Sequence, residues 1–361
     1  MFSFLEGRTS WRTVSSALGL ILALAAVDAN AQTIRMWTFL DPSGQTGREI
    51  VLKKLIESFE AENPGVNVQV EPQVWQQLSD KFLAAHQTGN APDVVWMHSS
   101  RVMDGIQLGA LANLDELFVK NWSEEEIEDI DGALWRYGAT SYAHYHIMHS
   151  LAVVGQFYRT DLFEEAGIDP ASLTTWDKFI EAAQKLTERD ASGKVVRWGY
   201  GHAYPTVGSN SPIMVNVMLE EQGNIFDENG QAVWATPAGV KGLQLQLDMI
   251  RQYRIVPDTA VSLVSDDVYD QFSAGRTAIV RGSSVRLPRA MDALGADKVG
   301  YLRTPSFTEG KYAPAEVVGW SVGVWEGSEH KELAGRWVEY MSSKEADALW
   351  TIEAGMIPIR K

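Results

Sequence analysis

Cysteine is absent from the chain. That excludes disulfides, thiolate metal sites and cysteine nucleophiles. It also excludes a lipidated N-terminal cysteine, and with it tethering by that route. Bases are scarce relative to acids: 31 Lys and Arg against 47 Asp and Glu give a net charge of −16. So negative a chain has no long-range attraction for nucleic acid or an anionic membrane surface, and neither is expected as a partner. The strong signatures of catalysis are missing too. There is no G-x-S-x-G elbow, no P-loop and no H-E-x-x-H helix. No repeat, low-complexity tract or Gly/Ser linker interrupts the chain, so any two lobes are joined by strands or short hinges. Beyond the N-terminus no run is long and apolar enough to span a bilayer.

What is present is a chain of 361 residues, 45% apolar, enough for two lobes with substantial cores. Arg8 and Arg12 precede an apolar run from Val14 to Val27, and Ala29-Asn30-Ala31 supplies an A-x-A pattern of small residues. This reads as a secretory signal peptide over residues 1–31, cleaved after Ala31. With Glu6 and Asp28 offsetting the two arginines, the mature chain keeps the charge of −16.

The mature chain opens on a strand, Thr33 to Trp37. Val51, Leu52, Leu55, Ile56 and Phe59 then recur at helical spacing, giving a helix over about 48–61 that Asn63-Pro64-Gly65 stops. Val66 to Val70 alternates as a strand, Trp75, Leu78 and Phe82 mark a second helix, and Val94 to Met97 is a short buried strand. This β-α-β-α-β order predicts a mainly parallel sheet with helices on its faces. Further on, Ser123 with Glu126 forms a capping box, Phe157-Tyr158 is a strand, and Thr174 or Thr175 caps a helix carrying Phe179, Ala183 and Leu186. Val240, Leu243, Leu247 and Ile250 form an apolar helical stripe, and Tyr269 with Phe272 another. Thr277 to Val280 and Val317 to Val324 are strand-like. Helices around Leu333, Trp337 and Met341 and around Leu349 and Ile352 end the chain.

Few residues suggest chemistry. Asp266-Asp267 precedes a predicted helix and reads as first-turn charge favoured by the helix dipole; Glu124-Glu125-Glu126 reads as a solvated face. His144, His146 and His149 are the best candidates for a transition metal. On a strand, however, only the first two share a face, and no carboxylate lies in the segment, so a structural role is the expectation. Thirteen tryptophans are present, all but Trp11 past the leader. Trp176, Trp337 and Trp350 lie on predicted helices as packing residues. Trp37, Trp96 and Trp320 lie in or at the ends of strands beside polar loops. In an open α/β sheet such positions face the ligand crevice, where an aromatic face can stack on the apolar face of a sugar ring. Core packing is the alternative for each.

Several motifs run in order along nearly the whole mature chain: Thr33-Ile34-Arg35-Met36-Trp37, Phe59 to Val66, Gly89-Asn90-Ala91-Pro92-Asp93-Val94-Val95, Gly109-Ala110-Leu111, Thr175-Trp176-Asp177-Lys178-Phe179, Phe272 to Ala278, Val318-Gly319-Trp320 and Gly355-Met356-Ile357-Pro358. Together they resemble the family 1 extracellular solute-binding proteins, the maltose-binding-protein-like group. The resemblance implies an α/β fold of the periplasmic binding protein type II class, two α/β lobes with a ligand cleft between them. It places the first lobe at residues 32–145 plus about 305–355, and the second at about 146–304. Further helices for the second lobe would be expected after Lys361. It implies no catalysis and no cofactor. Its partners would be a small carbohydrate, whether sugar, sugar alcohol or sugar or glycerol phosphate, and the ABC permease in the inner membrane, served by a periplasmic monomer. Carried over position by position, the substrate-binding residues would be Trp37, Phe39, Asp41, Trp96, His98, Ser99, Arg101, Tyr204, Arg281, Ser283, Ser284, Gly319 and Trp320. Ser284 stands where the family's maltose binder has a stacking tryptophan, which disfavours a long oligosaccharide. Arg101, Arg281 and Arg286 leave room for an anionic ligand. The alternatives are an exported glycan-active enzyme and a histidine-based metal-binding protein.

Overall fold

The computed structural model describes residues 32–137, 143–204, 212–229 and 231–361. The leader expected at residues 1–31 lies outside them. Nine strands are formed: β1 (Gln32–Thr38), β2 (Val66–Pro72), β3 (Val94–His98), β4 (Ile147–Arg159), β5 (Glu188–Arg189), β6 (Val195–Gly201), β7 (Thr277–Ser283), β8 (Val299–Leu302) and β9 (Glu316–Val324). Their order is β2-β1-β3-β9-β4-β7-β6-β5, with β8 against β4.

The first three strands are parallel and are joined by helices α1 (Gly47–Glu62) and α2 (Trp75–Gln87). Helix α1 begins where the Thr46 N–H donates to the Glu49 carboxylate at 2.9 Å. It ends before Gly65, whose φ of +89° is open to glycine at little cost. Its apolar positions Val51, Leu52, Leu55, Ile56 and Phe59 are buried, as their spacing requires. The Ser123–Glu126 capping box and the Thr175 cap also form.

The parallel pattern returns at β6–β7, but the middle of the sheet is antiparallel. There β9 comes back from the far half of the molecule and so runs against β3 and β4. Strand β4 joins separate cores. β4 gives Ile147, Met148 and Leu151 to a first core that also holds Leu52, Phe82, Trp96, Trp337 and Trp350, and it gives Phe157 to another with Phe272 and Val280. A further core packs Phe163, Trp176, Phe179, Tyr200 and Ile279.

The stripe of Val240, Leu243, Leu247 and Ile250 is a correction. Helix Pro237–Arg251 forms, yet Val240, Leu243 and Leu247 are exposed while Ala238, Gly239, Gly242, Gln246 and Met249 are buried. The helix packs through its glycine face: a Cβ on Gly242 would lie 2.4 Å from Met214 Cα. Close backbone approach to helix Pro212–Gln222 therefore outweighs burial of the bulkier stripe. Among the described residues, no helix is long and apolar enough to cross a membrane.

Candidate functional site

A cavity of about 290 Å³ opens between the two halves. It lies near the small end of the range typical of small-molecule sites, roughly 300–1,000 Å³. Phe39, Arg48, Trp75 and His98 line it from one side, and Ser265, Tyr269, Arg281, Ser283, Val285 and Arg286 from the other. Val154 of β4 and Glu316, Val318 and Trp320 of β9 lie along the joining strands.

Phe39 follows β1 and His98 ends β3, so both sit at carboxyl ends of parallel strands, where an open α/β sheet places its ligands. Trp320 of β9 is in register with His98, their rings 5.3 Å apart, and Phe39 lies 4.7 Å from Trp320. Burial pushes the His98 pKa down, so the ring is neutral. Its Nδ1 accepts the Ser100 N–H at 3.3 Å, which leaves the proton on Nε2 as a donor.

The opposite wall is charged. Arg281 of β7 pairs with Glu316 of β9. Arg286 pairs with Asp266 at 2.5 Å and stands over the Tyr269 ring. Asp266 also accepts the Trp75 indole N–H at 3.2 Å, so it ties α2 to helix Ser265–Ser273 across the cleft. The first-turn charge expected of this pair is divided: Asp267 caps the helix by accepting the Val264 N–H, while Asp266 reaches across. Ser283 Oγ is buried with no hydrogen-bond partner among the described residues, an unmet polar group in a cavity wall.

The structure thus brings Phe39, His98, Arg281, Ser283 and Trp320 to the cavity. The other residues carried over are engaged elsewhere. The Trp37 indole donates to Glu71 at 2.7 Å. Asp41 is exposed and accepts from Ser43. Trp96 is 1% exposed, within the first core beneath Phe39. Ser99 Oγ accepts the Gly319 N–H at 3.4 Å. Arg101 pairs with Asp80 and Asp104. The Tyr204 hydroxyl donates to the Gln246 carbonyl at 2.7 Å. Ser284 Oγ accepts the Val153 N–H. Sequence reasoning did not find Arg48, Trp75, Tyr269 or Glu316; Trp75 and Tyr269 were visible only as helical spacing.

The three histidines separate. His144 stacks on Trp135 with centroids 3.8 Å apart and bonds Asp115, His146 is buried, and His149 is wedged between Trp96 and Trp350. Among the described residues no group of three or more His, Asp or Glu side chains is placed to hold a metal ion.

Residues 42–348 match the model of the bacterial extracellular solute-binding protein family. An arabinooligosaccharide-binding protein of Halalkalibacterium halodurans is 26% identical over 333 residues, which is 89% of this chain and 70% of the relative. A solute-binding protein of Thermotoga lettingae, solved with α-D-tagatose, superposes with a TM-score of 0.76 at 24% identity, over 91% of this chain and 82% of that one. Maltose-bound MalE3 of T. maritima also gives 0.76, at 22% identity, over 92% and 82%.

Proposed function

The chain belongs to the family of bacterial extracellular solute-binding proteins, and from that premise we propose that it captures a small carbohydrate between its lobes for an ABC importer. Its fold is that of the type II periplasmic binding proteins. The observation that carries the reading is the cavity lined from both halves, with Trp320 and Phe39 as aromatic walls, His98 in the wall and Ser283 Oγ without a hydrogen-bond partner among the described residues. A ligand touching both walls favours the closed form by its differential affinity for it. The volume suits one or two sugar rings. Relatives named for arabinooligosaccharide, lactose and maltose binding support the ligand class.

The division into lobes near residues 146 and 305 belongs to the same reading. It is supported by the way β4 passes from one core to another. Export by a cleaved leader to the periplasm, action as a monomer and delivery to the inner-membrane permease complete it. Glycan hydrolysis is not favoured, since it needs two converging carboxylates. Among the described residues the cavity wall holds one, Glu316, and Arg281 engages it.

A thermal-shift panel of neutral mono- and disaccharides, polyols and sugar phosphates tests the proposal. A ligand at 100 times its Kd stabilises the folded form by about 2.7 kcal/mol, a rise of several degrees in Tm. No shift with any member would overturn the reading.

A further inference from the structure

The cleft is positive inside an acidic protein. Three guanidiniums line it, with Glu316 in the wall and Asp266 paired to Arg286 as the acids beside them, in a chain of net charge −16. Arg281 is answered by Glu316 and Arg286 by Asp266. Arg48 has no hydrogen-bonding or ion-pair partner among the described residues. Its guanidinium rests on the Phe39 ring, 5.3 Å from the centroid. The neighbouring Glu49 is already used, since its carboxylate accepts the Thr46 N–H and hydroxyl.

Three features make this position unfavourable for an unaccompanied cation. Arg48 is the second residue of the 16-residue helix α1, where the free N–H groups and the helix dipole disfavour positive charge. It is half-buried in a cavity wall, where burial and then the positive charge of Arg286 lower its pKa against the smaller opposing attraction of Glu49. An arginine cannot escape by losing its proton. A chain that needed only packing there would be served by an uncharged side chain. The contact with Phe39 holds the guanidinium against an aromatic face, and its unused N–H groups are donors of the kind that bind an oxyanion in bidentate fashion.

We propose that the ligand is an acidic carbohydrate whose carboxylate or phosphate group seats on Arg48, within the field of Arg286. The ring hydroxyls then fall to His98 Nε2 and Ser283 Oγ, and the apolar ring face to Trp320. This assignment rests on the carbohydrate-binding reading above and narrows it to charged members of that class.

Titration calorimetry on the full chain with matched ligands tests it: glucose, glucuronic acid and glucose 6-phosphate, with galactobiose and digalacturonate as the larger pair. At least one acid is expected to bind ten or more times tighter than its neutral counterpart. Preference for the uronates alone assigns a carboxylate, and preference for the phosphate alone a phosphate. Arg48→Gln should remove most of that preference and Arg48→Lys should keep part of it; circular dichroism and Tm establish that both variants fold. A neutral sugar that binds as tightly as its acid overturns the inference and leaves the carbohydrate reading standing. So does a preference unchanged in Arg48→Gln. Failure of every ligand to bind overturns both.

Discussion

Lowering the pH from 7 to 5 should strip about 4 kcal/mol from the folding stability, through two buried histidines. His149 and His202 are 4% and 2% exposed. Burial pushes the pKa of each down to about 3; for His202 the positive charge of Arg281 adds to the effect. Both rings are therefore neutral in the fold throughout this window. In the unfolded chain they take up protons as the pH falls through about 6.5. A folded value below the unfolded one means the stabilisation is complete above about pH 6.5 and is lost progressively on acidification toward 3. Between pH 7 and 5 the unfolded value alone sets the slope, and each ring contributes about 2 kcal/mol. His98, also lowered by burial, acts in the same direction. Asp347, raised by burial, offsets part of the loss at the acid end. Urea midpoints at pH 7, 6 and 5 check this. Their downward course should flatten by about half in His149→Gln, and midpoints that do not move with pH would contradict the burial of these rings.

Glu316→Ala is expected to destabilise the protein by about 3 kcal/mol, the lower end of the range for breaking a buried ion pair. The Arg281 side chain is 14% exposed and that of Glu316 26%. Burial opposes the Arg281 charge, but the Glu316 carboxylate, with Tyr200 and Tyr269, outweighs it and holds the pKa above its ordinary value. Removing the carboxylate leaves an enclosed guanidinium with no acid, and the water of the cleft relieves only part of that. Replacing both partners, Arg281→Met with Glu316→Leu, should be less destabilising than Glu316→Ala alone, because no stranded charge remains. Chemical denaturation reads both outcomes. A single variant within about 0.5 kcal/mol of the parent would mean the pair is solvated rather than structural.

The parts of this molecule that announce themselves in sequence are those whose packing obeys one period. The β-α-β-α-β run from Thr33 to Met97 does so, since each element buries one face of a regular repeat. β6 does not. Gly199 interrupts its alternation because the strand passes so close to helix Trp176–Leu186 that a Cβ there would lie 1.8 Å from the Ala183 carbonyl oxygen, and a Cβ on Gly201 would lie 2.8 Å from the Val268 side chain. The stripe on helix Pro237–Arg251 was legible as a helix and misleading as to its buried face, for the same reason of close backbone approach.

The cleft divides in a similar way. Phe39 and His98, carried over from the family resemblance, do sit at carboxyl ends of the parallel strands β1 and β3, whereas Trp320 reaches the cavity from the antiparallel β9. Trp96 lies two residues inward from His98 on the same face of β3, and that depth along the strand is enough to bury it. Tyr269 at helical spacing from Phe272 reads as core, and only the fold reveals that it supports Arg286 and accepts the Ser283 N–H. The charge of Arg48 is visible in the sequence. Its lack of a partner is a tertiary fact, set by which acids the fold brings near.

A carbohydrate held between the lobes, as proposed, would lie against Trp320. Calorimetry of Trp320→Ala beside the parent, with the ligand giving the largest thermal shift, tests it most directly. Trp320 is 9% exposed and part of the cavity wall. Losing its face should weaken binding by about 2 kcal/mol, roughly 30-fold, in a variant that still folds. A folded Trp320→Ala that binds as tightly as the parent would place the ligand elsewhere and contradict the account.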